Sequence, residues 1–299
     1  MTVSSRHWQA APIFLGAALL LSAGIAQANQ TLMPEAALKR GEYLFHAGGC
    51  ETCHTDTANK GQLLAGGRAL KTPFGTFRTP NITPDETHGI GKWSDEDFIR
   101  AMREGRSPTG SHYYPAFPYT SYTKMADDDL RYLRAYIFTL PKSDKANQPH
   151  ELGFPFNIRL GVMVWKWLNF KPGALPQVAG KDETWTRGRY LVEAVGHCAE
   201  CHTPRDRLGG LVMSRWMGGS KDGAEGEPAP NLTPDMKDGL GEWSEEDIAF
   251  ALKTGMMPDG DSVGSLMAEV VENGTSKLSD ADLAAMAAYL KSLPAIARQ

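Results

Sequence analysis

The chain has 299 residues, room for two ordinary domains, and its 41% hydrophobic and 22% charged content without low-complexity tracts excludes a disordered or fibrous protein. A formal net charge of −4 offers no general attraction to a nucleic-acid backbone. The 31 glycines and 19 prolines point to many turns and irregular connections.

In chain order, Arg6 and His7 precede an apolar run from Ala11 to Ile25, and Ala26-Gln27-Ala28 follows as a small-residue cleavage pattern. The run is too short for a membrane span and has the form of a secretory signal peptide cut after Ala28. Cleavage would remove one arginine and take the net charge to −5. A helix is expected over 35–46, leading into CETCH at Cys50–His54. NITPD (Asn81–Asp85) and GKWSDED (Gly91–Asp97) follow, with Ser94 as the N-cap of a helix carrying Asp97 near its positive end. MADDDL (Met125–Leu130) opens a further helix whose apolar face is Leu130, Leu133, Ile137 and Leu140.

Phe154–Phe170 is the most apolar stretch after residue 28. It reads either as a linker packed across both halves or as a docking surface for a dehydrogenase or a membrane interface. A helix is then expected over 184–196, entering CAECH at Cys198–His202. NLTPD (Asn231–Asp235), GEWSEED (Gly241–Asp247, with Ser244 as N-cap) and LSDADL (Leu278–Leu283) complete the chain. Its last helix starts at Ser279 and buries Leu283, Met286, Ala287 and Leu290. No sustained alternation of period two is present, so no sheet is expected.

The matched segments recur in the same order, several at an offset of 150, and establish an internal duplication. The expected architecture is all-α: two tandem class I cytochrome c domains with long irregular loops. Domain one spans 29–145, an apolar linker 146–180 and domain two 181–299, behind a signal peptide at 1–28.

All four cysteines lie in the two C-x-x-C-H motifs. Two thiols within one helical turn can add to the two vinyl groups of one porphyrin, and the adjoining histidine then lies under the iron. A four-cysteine zinc site uses comparable pairs about 15–20 residues apart, whereas these stand in separate repeats. A thioredoxin-like dithiol needs a βαβ context, and two disulfide loops would leave the histidines unexplained. The expected cofactors are two covalently bound haem c groups. Cys50, Cys53, Cys198 and Cys201 are the attachment residues, and His54 and His202 are proximal iron ligands.

A distal methionine would raise the potential and close the sixth position. Met267 is preferred in repeat two over Met256, Met257 and the core-facing Met286. Met125 is preferred in repeat one over Met102, which reads as core. Met125 aligns with Leu278 rather than with Met267, so the two distal ligands would come from different points of the same loop. His46, His88, His112 and His150 have no ligand-spaced partner, and His197 is expected to line a haem edge. Trp93 and Trp243 read as packed near the haem or as core. Arg68, Arg78 and Arg205 are candidates for haem propionates or are simply solvated.

The stretches TPFGTFRTPNITPDETHGIGKWSDEDFIRAMREG and YYPAFPYTSYTKMADDDLRYLRAYIF resemble the cytochrome c subunit of membrane-bound bacterial alcohol and gluconate dehydrogenases. Relatives of that subunit serve molybdenum-containing aldehyde and N-heterocycle dehydrogenases. The resemblance runs from Gly41 to Pro294. It implies class I cytochrome domains that accept electrons from a dehydrogenase subunit, with the methionines of KMADDD and GSLMAEVV, Met125 and Met267, as distal ligands. The familiar subunit carries three haems where this sequence has two motifs, so quinone reduction is not expected. The function expected is a periplasmic electron carrier, not itself an enzyme. Its donor would be a flavin-, quinone- or molybdenum-dependent dehydrogenase, and its acceptor a further cytochrome or terminal oxidase. Peripheral contact with the inner membrane is compatible with this. The rivals are a dihaem redox enzyme such as a peroxidase, which needs an iron that can be open or bis-histidine ligated, and a free shuttle. A thiosulfate dehydrogenase design needs a cysteine distal ligand, and no cysteine is spare.

Overall fold

The computed structural model describes residues 34–297, and the signal-peptide reading lies outside them. In the first repeat α1 spans Glu35–Ala47, α2 Cys50–His54, α3 Asp95–Glu104, α4 Tyr119–Tyr122 and α5 Asp127–Ile137. After the connecting α6 (Leu160–Asn169), the second repeat has α7 Glu183–Tyr190, α8 Ala199–His202, α9 Glu245–Thr254, α10 Ser265–Asn273 and α11 Asp280–Lys291. One π-helical turn, Leu191–Val195, extends α7 towards the second CxxCH.

The expected caps form. Ser94 Oγ accepts from Asp97 N at 3.1 Å, and Ser244 Oγ from Asp247 N at 3.0 Å, each in a reciprocal capping box. Gly105 and Gly255 end those helices in the left-handed conformation. Ser279 caps α11, whose buried face includes Leu283, Met286, Ala287 and Leu290.

Among the described residues a small three-stranded sheet departs from the all-helical expectation. β1 (Ala69–Thr72) and β2 (Gly75–Arg78) form an antiparallel hairpin, with Ala69 opposite Arg78 and Thr72 opposite Gly75. β3 (Glu151–Leu152) pairs with the far edge of β2. Strands of four, four and two residues are too short for alternation to stand out, and β3 arrives from a distant part of the chain.

Within each repeat the first helix crosses the last where a glycine lies in the seam. A Cβ on Gly41 would lie 2.1 Å from Tyr132 O, and one on Gly188 1.9 Å from Ala285 O. The Gly-x-Tyr-Leu element of the duplication is therefore a close-packing requirement of α1 on α5 and of α7 on α11.

The two cores interlock. The first, around Leu44, Phe45, Leu64, Met125, Leu130 and Ile137, takes in Ala194 and Val195 from the second repeat. The second, around Leu191, Met217, Leu283 and Met286, has Tyr43 and Ala47 of the first packed against it. Met102 and Met286 are core residues, and Trp93 and Trp243 pack half-buried against their respective cores.

A pseudo-symmetric pair of clasps joins the repeats. Arg40 holds Asp129 through two bonds of 2.9 and 2.8 Å, and Tyr190 of the other repeat donates its hydroxyl to Asp129 at 2.7 Å. Arg187 likewise grips Asp282 at 2.8 and 2.6 Å, and Tyr43 crosses over to donate to it. Each tyrosine hydroxyl also accepts a backbone N–H at 3.2 Å, from Ala126 and Ser279 respectively.

The α6 helix is inverted. Lys166 is buried, donating to Gly105 O at 2.7 Å and lying 4.4 Å from the centre of the Tyr119 ring, and burial pushes its ammonium down to about 8. Trp167 is 83% exposed, and Phe154, Leu160, Met163, Val164 and Leu168 are also outward. Of the two readings of this segment, the structure shows a narrow face touching both repeats, with Trp165 Nε1 donating to Leu208 O at 2.8 Å, and a broad apolar face towards solvent. Among the described residues no helix is long and apolar enough to cross a membrane.

The clasp at Asp282 has a pH signature. Burial raises this carboxyl, but the bonds from Arg187 and Tyr43 outweigh it and hold it below the ordinary carboxylate range. Its contribution is present above the unfolded value of about 3.9 and is lost as pH falls through the lower folded value. Asp282→Asn should cost about 2 kcal/mol at pH 7 and flatten the fall in stability between about pH 5 and pH 2, measured by urea unfolding across pH.

Candidate haem sites

Both CxxCH motifs fold as a single helical turn after a tight reversal. Gly49 stands before CETCH at φ 60°, in the left-handed region that glycine enters freely. At the equivalent point before CAECH stands His197, at φ 40°. Its ring Nε2 lies 3.3 Å from Gly48 O, and Tyr122 meets the ring edge-on at 5.5 Å. His197 thus joins the backbone leading into one motif to the backbone leading into the other.

The histidines of the two motifs are held alike. His54 Nδ1 lies 2.8 Å from Pro80 O, and His202 Nδ1 lies 2.8 Å from Pro230 O. A carbonyl can only accept, so each ring carries its proton on Nδ1 and presents a free Nε2 lone pair. Burial lowers both imidazoles below their ordinary value against the opposing pull of those carbonyls, which favours the neutral, metal-binding form.

The proline carbonyls explain the NITPD and NLTPD motifs, to which sequence reasoning assigned no role. Asn81 Oδ1 accepts from Thr83 N at 2.9 Å and Thr83 Oγ1 at 2.7 Å, while its Nδ2 donates to Ser143 O at 2.8 Å. Asn231 repeats the pattern with Thr233, and its Nδ2 donates to Ile296 O at 2.6 Å. Each asparagine ties its loop to the segment after the repeat's last helix and so holds the preceding proline carbonyl over the histidine. The available signal was the shared offset of the two motifs.

The cysteines fit thioether attachment and do not fit a redox dithiol. Burial pushes Cys50 up to about 12, Cys53 to about 11 and Cys198 to about 12, and it also raises Cys201. A dithiol oxidoreductase needs a depressed value at its attacking thiol. Among the described residues no cluster of three His, Cys, Asp or Glu side chains could hold a bare metal ion.

The other sequence candidates divide. Met125 is 1% exposed and belongs to the core that Cys50 packs against. Met267 is half-buried in the first turn of α10, a helix where the sequence suggested a loop. Met256 is 46% exposed. Met217, not considered from the sequence, is buried at φ 60° in the place that Leu64 occupies in repeat one at φ 59°. Its N–H bonds Thr203 Oγ1 at 2.9 Å and its neighbour Gly219 N bonds His202 O at 2.9 Å, which puts it on the histidine side.

His46, His112 and His150 are engaged by Asn273 O, Lys166 Nζ and Arg78 N, all within 3.2 Å. The arginines considered for propionates all have protein partners. Arg68 pairs with Glu225 and Glu269, Arg78 with Glu151, and Arg205 with Glu200.

A helical chain with two CxxCH turns and proline-oriented histidines is of the cytochrome c type. A sequence model of the cytochrome c family matches residues 38–141 and 186–294, and the chain belongs to that family. It is 49% identical over 262 residues, 86% of each chain, to a protein of Cereibacter sphaeroides described as "Diheme cytochrome c-type". It is 41% identical to the fructose dehydrogenase cytochrome subunit of Gluconobacter japonicus, covering 86% of this chain and 53% of that one. It is 40% identical to the alcohol dehydrogenase (quinone) cytochrome c subunit of Gluconobacter oxydans, covering 93% and 59% respectively. The chain therefore spans little more than half the length of these two dehydrogenase subunits. The bound cofactor is haem c, attached through the two CxxCH motifs.

Cys53→Ala or Cys201→Ala should each remove one thioether and lower the covalent haem yield of its own site. The double variant Cys50→Ala/Cys53→Ala should retain one haem in place of two, counted by mass spectrometry and haem absorbance of the denatured protein.

Proposed function

We propose that this chain is an exported dihaem cytochrome c that takes single electrons from a partner dehydrogenase and passes them towards the respiratory chain. The observation that carries the reading is the pair of CxxCH turns, each with its imidazole keyed to a proline carbonyl, with their approach segments meeting at His197 and Gly48. Haem c supplies the reversible one-electron couple. The chain tethers it, orients it and excludes water. His54 and His202 serve as proximal ligands, and Met125 and Met267 as distal ones. Burial within the first core supports Met125, and a position near the start of α10 supports Met267. In this reading, domains 29–145 and 181–299 flank a linker at 146–180, and a signal peptide at 1–28 directs export to the periplasm.

The relatives named as dehydrogenase cytochrome subunits support an electron-transfer role beside a flavin-, quinone- or molybdenum-dependent catalytic subunit. The onward acceptor is a further cytochrome or terminal oxidase. We assign the outward apolar face of α6 to the dehydrogenase. Lys166 turns inward onto backbone carbonyls and leaves Trp167 and Leu168 in water, apolar surface whose burial a partner on that face would recover.

Met267→Ala should open one iron to imidazole and lower that haem's midpoint potential. If the thioether favours ferrous over ferric iron a hundredfold, the drop is about 120 mV. An unchanged spectrum and potential would remove Met267 from the ligand set.

Trp167→Glu should keep both haems and their spectra and weaken association with the donor dehydrogenase at least about tenfold, by burial of one indole. Retained dehydrogenase binding together with lost binding to lipid vesicles would reassign the face to a membrane.

A further inference from the structure

The loop that carries Met125 is held largely by the other repeat. Thr120 and Ser121 both donate to Glu200 Oε1, Ser121 at 3.0 Å. Tyr122 stands edge-on to His197. Lys124 Nζ lies 3.2 Å from Glu193 Oε2 and 5.0 Å from the centre of the Trp216 ring. Ala126 N donates to the Tyr190 hydroxyl at 3.2 Å. From its own repeat the segment receives Arg103, which donates to the carbonyls of Thr123, at 3.0 Å, and Met125, and its Tyr122 hydroxyl donates to Gly48 O at 3.4 Å. From Thr120 to Ala126, four of seven residues are hydrogen-bonded or ion-paired across the repeat boundary.

Glu200 is the residue between the two cysteines that stands directly before Cys201 in CAECH. Its side chain is 9% exposed, and its second oxygen is fixed by Arg205 at 2.6 Å. The attachment turn of the second haem site thus grips the distal loop of the first. The reverse contact is built differently. Arg68 donates to Thr52 O at 2.8 Å inside CETCH and pairs with Glu269 on α10, while His46 Nδ1 meets Asn273 O at 3.2 Å. CETCH has Thr52 where CAECH has Glu200, so a carboxylate inside the motif braces only the first site's loop.

We propose that Glu200, supported by Tyr190, is a positioning residue for the distal methionine of the first haem, so that methionine ligation at site one depends on the attachment turn of site two. This rests on the reading of Met125 as that ligand. A thioether is a weak neutral ligand, and its bond to iron survives only where the loop bearing it is already ordered. Ordering seven residues carries an entropy cost that hydrogen bonds from the second repeat offset in advance. The two haem sites then form one cooperative unit rather than two independent carriers.

The test uses the full-length protein carrying both haems, with imidazole as the probe ligand. Four variants are compared: Met125→Ala, Glu200→Ala, Glu200→Gln and Tyr190→Phe. Readouts are imidazole affinity, the potential of each haem, and the shifted NMR resonances of iron-bound methionine methyls. Met125→Ala should abolish one methyl resonance and open one iron. Glu200→Ala should broaden or abolish that same resonance and raise imidazole affinity at that haem about tenfold, leaving the other haem's methionine methyl resonance in place. Glu200→Gln keeps the oxygen that accepts from Thr120 and Ser121 and should stay near the parent protein. Tyr190→Phe should shift the same haem in the same direction by a smaller factor.

If Met125→Ala opens an iron while Glu200→Ala and Tyr190→Phe bind imidazole like the parent, the positioning role is wrong and the ligand stands. If Met125→Ala leaves both haems unchanged, the ligand reading itself fails, and the inference falls with it. Should Glu200→Ala lose its second haem outright, Tyr190→Phe, which lies outside the CxxCH motif, decides the matter alone.

Discussion

The bond from each histidine Nδ1 to a proline carbonyl is the constraint around which the rest is arranged. An acceptor on one imidazole nitrogen fixes the tautomer and ring plane and leaves the other nitrogen free to serve an iron. Pro80 and Pro230 supply that acceptor without a side chain, so their loops must be held by other means. Asn81 and Asn231 do this through Asx turns onto Thr83 and Thr233 and through bonds to the chain just past each repeat's last helix. The last helix is in turn positioned by its glycine-seamed crossing with the first helix, which leads back to the CxxCH. Each repeat is therefore a closed mechanical loop that begins and ends at its histidine.

The two loops are then locked to each other by an interface of isologous form. Arg40, Asp129 and Tyr190 mirror Arg187, Asp282 and Tyr43, and each triad mixes residues of both repeats. Within this pseudo-two-fold the asymmetries carry the information. His197 replaces Gly49 and holds a backbone angle that an L residue rarely adopts, and it gains a bond to Gly48 O in doing so. Met217 replaces Leu64, and Glu200 replaces Thr52. A duplicated fold differentiates its two sites through such exchanges while keeping the shared frame.

Much of the site could be read in the amino-acid order because its chemistry is local. Attachment needs two thiols and a histidine within one turn, and capping needs a serine three residues before an aspartate. Both therefore survive as short strings. The small sheet was missed because β3 joins from about 75 residues beyond its partner and contributes two residues. Met217 was missed because its place follows from Thr203 and Gly219 bonding around it, not from its spacing to any motif.

By itself, the order of residues determined the duplication, the two covalent haem c sites, the helix caps and the apolar faces of the terminal helices, since each depends on contacts within a few residues or on plain repetition. Only the tertiary structure decided that the proline carbonyls orient the histidines of the two motifs and that α6 turns its lysine inward and its tryptophan out. It alone also decided that each repeat's loops rest on the attachment turn of the other. Those features depend on groups brought together from 26 to more than 200 residues apart, and no short string records them.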